Sequence, residues 1–110
     1  MQKYHDFSDD LLAQENYQSA LEKIEVLLAH NFKAIENYEK KLICLLALQE
    51  FAEAEELAEQ LSKQYSYEKF QFYYIKSLYE QAFYELIVDF YEKELQEKLR
   101  DEKVLQAILP

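Results

Sequence analysis

The side chains best suited to chemistry in this chain are two histidines, a cysteine and many carboxylates. His5 and His30 stand far apart, and neither has a metal-ligand spacing from the other or from Cys44. His5 and Asp9 are four residues apart, so on a helix the carboxylate could orient the imidazole or share a weakly held metal ion. Two ligands do not complete a tetrahedral site, and we interpret this pair as solvated side chains.

The paired carboxylates also predict no catalysis. Asp9 and Asp10 are adjacent in the sequence, as are Glu55 and Glu56. Adjacent residues point in different directions on a helix, whereas general acid–base catalysis needs one carboxyl group in a shielded pocket. We therefore expect a protein that is not an enzyme and that carries neither a cofactor nor a metal ion.

The composition predicts an all-α fold in one domain. The 110 residues include no glycine, and the only proline is Pro110. Hairpins and phosphate-binding loops normally require glycine, whereas Ala, Leu, Glu, Lys and Gln favour helices. A chain of this length buries enough surface to fold as a single unit.

The charge restricts the classes of partner. With 12 basic and 22 acidic residues, the formal net charge is −10, and Arg100 is the only arginine. Nucleic acids and anionic membranes both attract Lys and Arg, so neither is expected as a partner. The longest apolar run, residues 42–48, is too short to cross a bilayer. The remaining partner is a protein or peptide with a basic or amphipathic surface.

The single cysteine and the polar N-terminus indicate the compartment. Cys44 lies in an apolar run, which is typical of a buried thiol, and one cysteine forms no disulfide framework. The first residues lack the apolar core of a signal peptide. We expect a cytoplasmic protein.

One sequence pattern occurs twice in the chain, at residues 16–28 and 50–61, and predicts the same structural unit at both places. Tyr17 and Phe51 have the same spacing as Ala20 and Ala54, about 34 residues. Each stretch begins with an aromatic residue, has a small Ala three residues later and continues apolar at helical spacing. The period predicts stacked helix pairs, and an irregular helical bundle is the alternative.

Apolar periodicity predicts six helices, the first of which begins at Lys3 or near Ser8. The others are expected at about residues 16–29, 34–48, 51–64 and 66–80, and from residue 83 or 84 onward. Asn16 and Ser66 are candidate N-caps, and Asn31 suits a left-handed C-terminal position. A joined helix over residues 9–29 is the alternative near the N-terminus. The apolar tail either extends helix six or, as we favour, breaks at residues 100–101 to form a capping helix.

These helix pairs resemble the tetratricopeptide repeat family. The resemblance divides the chain into repeats of about residues 1–33, 34–67 and 68–99, with a capping segment over residues 100–110. It implies a right-handed α-solenoid whose first helices line a concave groove for peptides. The inward residues of the first helices would include Tyr38 and Leu42, then Phe72, Ile75 and Tyr79 one repeat later.

The resemblance also implies which residues face the groove, when they are matched from one repeat to the next. The candidate binding residues are His5, Asp9, Glu36, Glu39, Ile43, Phe70, Tyr73 and Ser77. Because these residues are mostly acidic or aromatic, a basic or amphipathic ligand fits better than a C-terminal carboxylate. The expected function is an adaptor or scaffold. The alternatives are a self-associating assembly module and a peptide-sensing regulatory domain of a larger protein.

Aromatic residues are concentrated late in the chain, where Tyr or Phe occupies eleven positions from Tyr65 to Tyr91. Large aromatic side chains at helical spacing fill gaps between helices, but tyrosine is also a preferred anchor at interfaces. From the sequence alone, core packing and a ligand-binding surface are equally good interpretations of this segment.

Overall fold

The computed structural model describes the backbone of residues 7–108 and the side chains of residues 8–97. Within these residues the chain forms helices and no strands, which confirms the predicted all-α class. The helices are α1 (Phe7–Ala13), α2 (Tyr17–Ala29), α3 (Ala34–Ala47), α4 (Phe51–Gln64), α5 (Glu68–Glu80) and α6 (Tyr84–Ile108).

The same type of turn joins the two helices of each of three helix pairs, although the chain has no glycine. Glu15, Gln49 and Ala82 all adopt the left-handed conformation, with φ of 58°, 63° and 61°. At Gln49, the Gln49 N–H donates to the Leu46 carbonyl and the Glu50 N–H to the Leu45 carbonyl. The other two turns repeat this pair of bonds, the Schellman motif that ends a helix. The interval from the second turn to the third is one residue shorter than the interval from the first to the second.

The helix boundaries exclude one alternative and correct two predictions. The turn at Glu15 separates α1 from α2, so the joined helix over residues 9–29 is not observed. Ser66 does not cap α5, because Tyr67 occupies the N-cap position in an extended conformation. Helix α6 continues through residues 100–101 to Ile108, so the tail extends helix six instead of forming a separate capping helix. Good helix formers, with neither glycine nor proline among them, continue the helix there.

Two other predicted helix ends agree with the structure. Asn31 has a φ of 53° and ends α2 in the left-handed conformation, as expected. Asn16 occupies the N-cap position of α2, but its side chain makes no capping hydrogen bond. The predicted start of the first helix at Lys3 lies outside the described residues.

The main core forms where α5 packs against α3 and α4. Phe70 is 0% exposed and belongs to one cluster with Leu42, Leu45, Ala54, Ala58 and Leu61. The two alanines of α4 leave room for the large ring, because a small side chain lets neighbouring helices approach closely. A second cluster joins α2 to α3 through Ala20, Ile24 and the buried Cys44. The predicted burial of this thiol is confirmed.

The third helix pair is shifted by one residue relative to the period that relates the first two. Cys44 and Leu45 of α3 are buried, and Ser77 and Leu78 of α5 are buried as well. The spacing between these two buried pairs is one residue shorter than the period that relates the first two helix pairs. One residue along a helix corresponds to a rotation of about 100°. Phe72 and Tyr79 were predicted to point inward because the unshifted period was applied to α5. Both side chains are instead 60% exposed.

Helix α6 is the least covered element. None of its described side chains, residues 84–97, is buried, although the helix carries several large apolar residues in this stretch. The molecule measures 57 × 40 × 21 Å, and its radius of gyration is 17.7 Å, against about 13 Å for a closely packed domain of 100 residues. The 25-residue α6, about 37 Å long at 1.5 Å per residue, contributes to this elongation.

Candidate functional site

The structure brings two predicted binding residues, Glu39 of α3 and Tyr73 of α5, into direct contact. The Tyr73 hydroxyl donates to Glu39 Oε1 over 3.1 Å, and the Tyr67 hydroxyl donates to Glu39 Oε2 over 2.6 Å. Lys69 Nζ lies 3.6 Å from Glu39 Oε1. One carboxylate, with its side chain 19% exposed, therefore ties α3 to α5 through two hydroxyls and an ammonium group.

Ionisation of this group follows from its geometry. Burial, together with the neighbouring Glu39 carboxylate, raises the pKa of Tyr73 to about 12. The hydrogen bond to Glu39 likewise raises the pKa of Tyr67, and the negative charge of Glu39 raises the pKa of Lys69. Both tyrosines thus stay protonated as donors, and Lys69 stays charged. The Glu39 carboxylate therefore has its partners within the fold and is not an unpaired charge that a ligand could neutralise.

The remaining predicted site residues are divided between the surface and the core. Glu36 and Ile43 are exposed on α3, and Asp9 of α1 forms an ion pair with Lys40 of α3, with Oδ1 and Nζ 2.7 Å apart. His5 lies outside the described residues.

Phe70 and Ser77 belong to the core. Both are fully buried, and the Ser77 hydroxyl donates to the Tyr73 carbonyl over 2.8 Å. These two side chains present no surface to a ligand. The eight candidates consequently do not form one continuous surface in the part of the chain that the structure describes.

An open groove of about 730 Å³ lies between α5 and α6, and we call it the α5/α6 groove. Large apolar side chains from both helices line it: Phe72, Ile75, Tyr79, Ile87, Phe90, Tyr91 and Leu95. Phe72, Tyr79 and Tyr91 are each more than half exposed. Ring contacts hold part of the lining in place, because Phe90 packs edge-on against both Tyr74 and Tyr91. The groove is therefore an open apolar surface, part of which is supported by contacts between aromatic rings.

Charged side chains at the edge of the groove are mostly acidic. Glu68, Glu80 and Glu94 line it together with a single cation, Lys76, so its lining has a formal charge of −2. A whole-chain charge of −10 reinforces this potential. Carboxylates next to exposed aromatic rings favour an occupant that combines apolar and basic side chains.

Sequence reasoning missed the α5 side of this groove, although a signal for it was present. Phe72 and Tyr79 had been placed inward by extending the period of the first two helix pairs into α5. Tyr84 begins α6 as Phe51 begins α4. The spacing between these two residues is one residue shorter than that period. Applying the shorter period to α5 would have turned both side chains outward.

No group of three or more His, Cys, Asp or Glu side chains is placed to hold a metal ion within the described part of the chain. None of the helices of that part combines the length and the hydrophobicity that a bilayer-spanning helix requires. Comparison of the chain with models of protein families, with curated proteins and with solved structures finds no match.

Proposed function

We propose that this chain is a protein-binding module, an adaptor or scaffold of the cytoplasm, that holds a basic amphipathic segment of another protein in the α5/α6 groove. The observation that carries the proposal is the groove itself, because seven large apolar side chains line an open surface. Exposed apolar surface that is contiguous and rimmed by polar groups is typical of interaction sites. Rigid aromatic side chains such as Phe72, Tyr79 and Tyr91 are the usual anchors of such sites.

The architecture that we propose is a three-repeat solenoid similar to tetratricopeptide repeat proteins. Its support is the recurrence of one turn at Glu15, Gln49 and Ala82, each closing a helix pair. Neighbouring elements pack in chain order, and α5 also contacts α3, the first helix of the pair before it. This pattern is expected when helix pairs stack on one another. In this proposal the long α6 takes the place of a separate capping helix.

The charge distribution favours a foreign segment over a second copy of the chain. Two copies meeting groove to groove would bring Glu68, Glu80 and Glu94 of each together, and like charges close to one another at an interface cost several kcal/mol. A basic amphipathic helix instead places lysines or arginines against these carboxylates. Its apolar face would cover the rings of α5 and α6.

Fluorescence anisotropy with a defined probe tests this function. The probe is a labelled peptide of about 18 residues, roughly 27 Å long as a helix, with leucines on one face and lysines on the other. We expect it to bind, and the double variant Phe72→Ala, Tyr91→Ala to weaken binding at least about tenfold, or about 1.4 kcal/mol. A peptide with glutamates replacing the lysines should bind poorly.

The matched control is Val26→Ala on α2. Val26 is 58% exposed, as is Tyr91, but it does not line the groove. Truncating it should leave the affinity unchanged, which separates binding in the groove from general adhesion to apolar surface. If Val26→Ala and the double variant lose affinity equally, or if the wild-type chain does not bind the probe, the proposed function is wrong.

A further inference from the structure

The α5/α6 groove has a filled counterpart inside the molecule. Helix α5 packs against α3 and α4 with Phe70 as its most deeply buried ring. The shorter period is the spacing in sequence between Leu45 of α3 and Leu78 of α5. When this spacing is subtracted from the position of a groove residue, it gives a counterpart residue on the surface that surrounds Phe70. Seven of the twelve lining residues have their counterparts in that hydrophobic cluster. Examples are Ile75, the counterpart of Leu42, and Phe90, the counterpart of Leu57. The same surface thus occurs twice, once covered by a helix and once open.

Two differences alter what the open copy can accept. Ala54 and Ala58 leave space for the Phe70 ring, and their counterparts in α6 are the much larger Ile87 and Tyr91. Both of these side chains line the groove, and because they are larger than alanine they leave less room at the position equivalent to that of Phe70. An occupant therefore needs a small side chain at this position, because a large ring would clash with them.

The second difference concerns polarity. In the covered copy, Glu39 accepts hydrogen bonds from Tyr67, the N-cap residue of α5, and from Tyr73 within α5. Its counterpart in the groove is Phe72, which offers no acceptor. If a helix that resembled α5 bound in the groove, its tyrosine hydroxyls would lie over the Phe72 ring without an acceptor. A buried donor without an acceptor lowers the stability of a complex. The occupant must be apolar there, so α5 of a second copy is a poor match.

We infer that the α5/α6 groove is an unfilled stacking position, which receives one helix of a basic amphipathic partner protein as α3 and α4 receive α5. The partner helix presents an Ala or Ser where α5 presents Phe70, and aliphatic side chains where α5 presents Tyr67 and Tyr73. Its basic residues face Glu68, Glu80 and Glu94. This inference rests on the proposed function and adds the conformation and the side-chain pattern of the partner.

Two peptides and two forms of the protein test the inference. Both peptides have the leucine and lysine pattern described above and differ only at the central apolar position, which is Ala in one and Phe in the other. The proteins are the wild type and the double variant Ile87→Ala, Tyr91→Ala, which recreates the two alanines of α4. Because neither Ile87 nor Tyr91 is buried, the variant should keep its fold, as circular dichroism would show.

We expect the wild type to prefer the Ala peptide and the double variant to prefer the Phe peptide. The ratio of the two dissociation constants should change at least about tenfold between the proteins, as a double-mutant cycle measures. A third peptide, with its Phe on the lysine face, controls for added hydrophobicity and should show no such change. The single variants Ile87→Ala and Tyr91→Ala should each give part of the effect.

Three results would overturn the inference. If the probe binds and depends on Phe72 but the peptide preference does not change with the protein, the proposed function stands and the stacking mode is wrong. If the bound probe shows no helical circular dichroism, the occupant is not a helix. If sedimentation shows a dimer that Tyr91→Ala dissociates, a second copy occupies the groove instead of a partner protein.

Discussion

Phe70 and Phe72 form a matched pair that tests the register of α5. They are two residues apart on one helix and carry the same side chain, yet Phe70 is 0% exposed and Phe72 is 60% exposed. We predict that Phe70→Ala strongly destabilises the fold, whereas Phe72→Ala leaves stability nearly unchanged and weakens peptide binding. The period of the first two helix pairs, extended into α5, predicts the reverse.

The magnitudes follow from burial. Truncating a buried phenylalanine to alanine costs about 3–5 kcal/mol, because transfer free energy is lost and a cavity remains. The Phe70 ring also has Tyr67 and Tyr65 as neighbours, with ring centroids 5.1 and 6.0 Å away, so its removal affects several contacts. In a domain of this size the loss should lower the melting temperature by more than about 10 °C. Exposed substitutions generally stay within about 0.5 kcal/mol.

Urea denaturation followed by circular dichroism measures both variants. If Phe70→Ala does not fold at all, Phe70→Leu provides a milder test, with a smaller loss that should still exceed that of Phe72→Ala. A Phe72 variant less stable than either Phe70 variant would refute the register derived from the structure. It would also remove Phe72 from the groove.

Two further predictions concern a turn and a tyrosine. Ala82→Gly should stabilise the chain by about 0.5–1 kcal/mol, because glycine adopts the left-handed conformation of this turn without strain; the helical control Ala52→Gly should bring no such gain in urea denaturation. Tyr73, with its pKa raised to about 12, contributes stability that is complete below its ordinary pKa of about 10 and is lost as the pH rises through about 12. Because the pKa of Tyr67 is also raised, absorbance titration of tyrosinate should show one late-ionising tyrosine fewer in Tyr73→Phe than in the wild type. A Tyr73 that ionises with the exposed tyrosines would contradict the burial seen in the structure.

The fold class and most helix boundaries could be read from the sequence because both depend on local properties. A chain without internal glycine or proline, with apolar residues at helical spacing, has few alternatives to helix. Residues that can adopt a positive φ are harder to recognise when glycine is absent. Asn31 was predicted, but Glu15, Gln49 and Ala82 carry no such signature, and the left-handed conformation that these three turns share became visible only in the structure.

The candidate site was predicted less well, because it depends on the rotation of one helix. Glu39 and Tyr73 were both expected to line the concave groove, and they are in contact. Their contact, however, is a link within the fold. Phe70 and Ser77 were expected on the surface and are buried. A difference of one residue in the period is small along the sequence, yet it turns a helix by about 100° and exchanges its buried and exposed faces.

By itself, the sequence determined that the chain is helical and acidic and that one apolar pattern occurs at two places, since composition and periodicity are properties of neighbouring residues. Tertiary structure decided which aromatic rings are core and which are surface, because that depends on the helices that come to lie against each face. Phe70 is buried in one cluster with the two alanines of α4, Ala54 and Ala58. Phe72 and Tyr91 line an open surface that no helix covers within the described part of the chain, and the α5/α6 groove results from that difference.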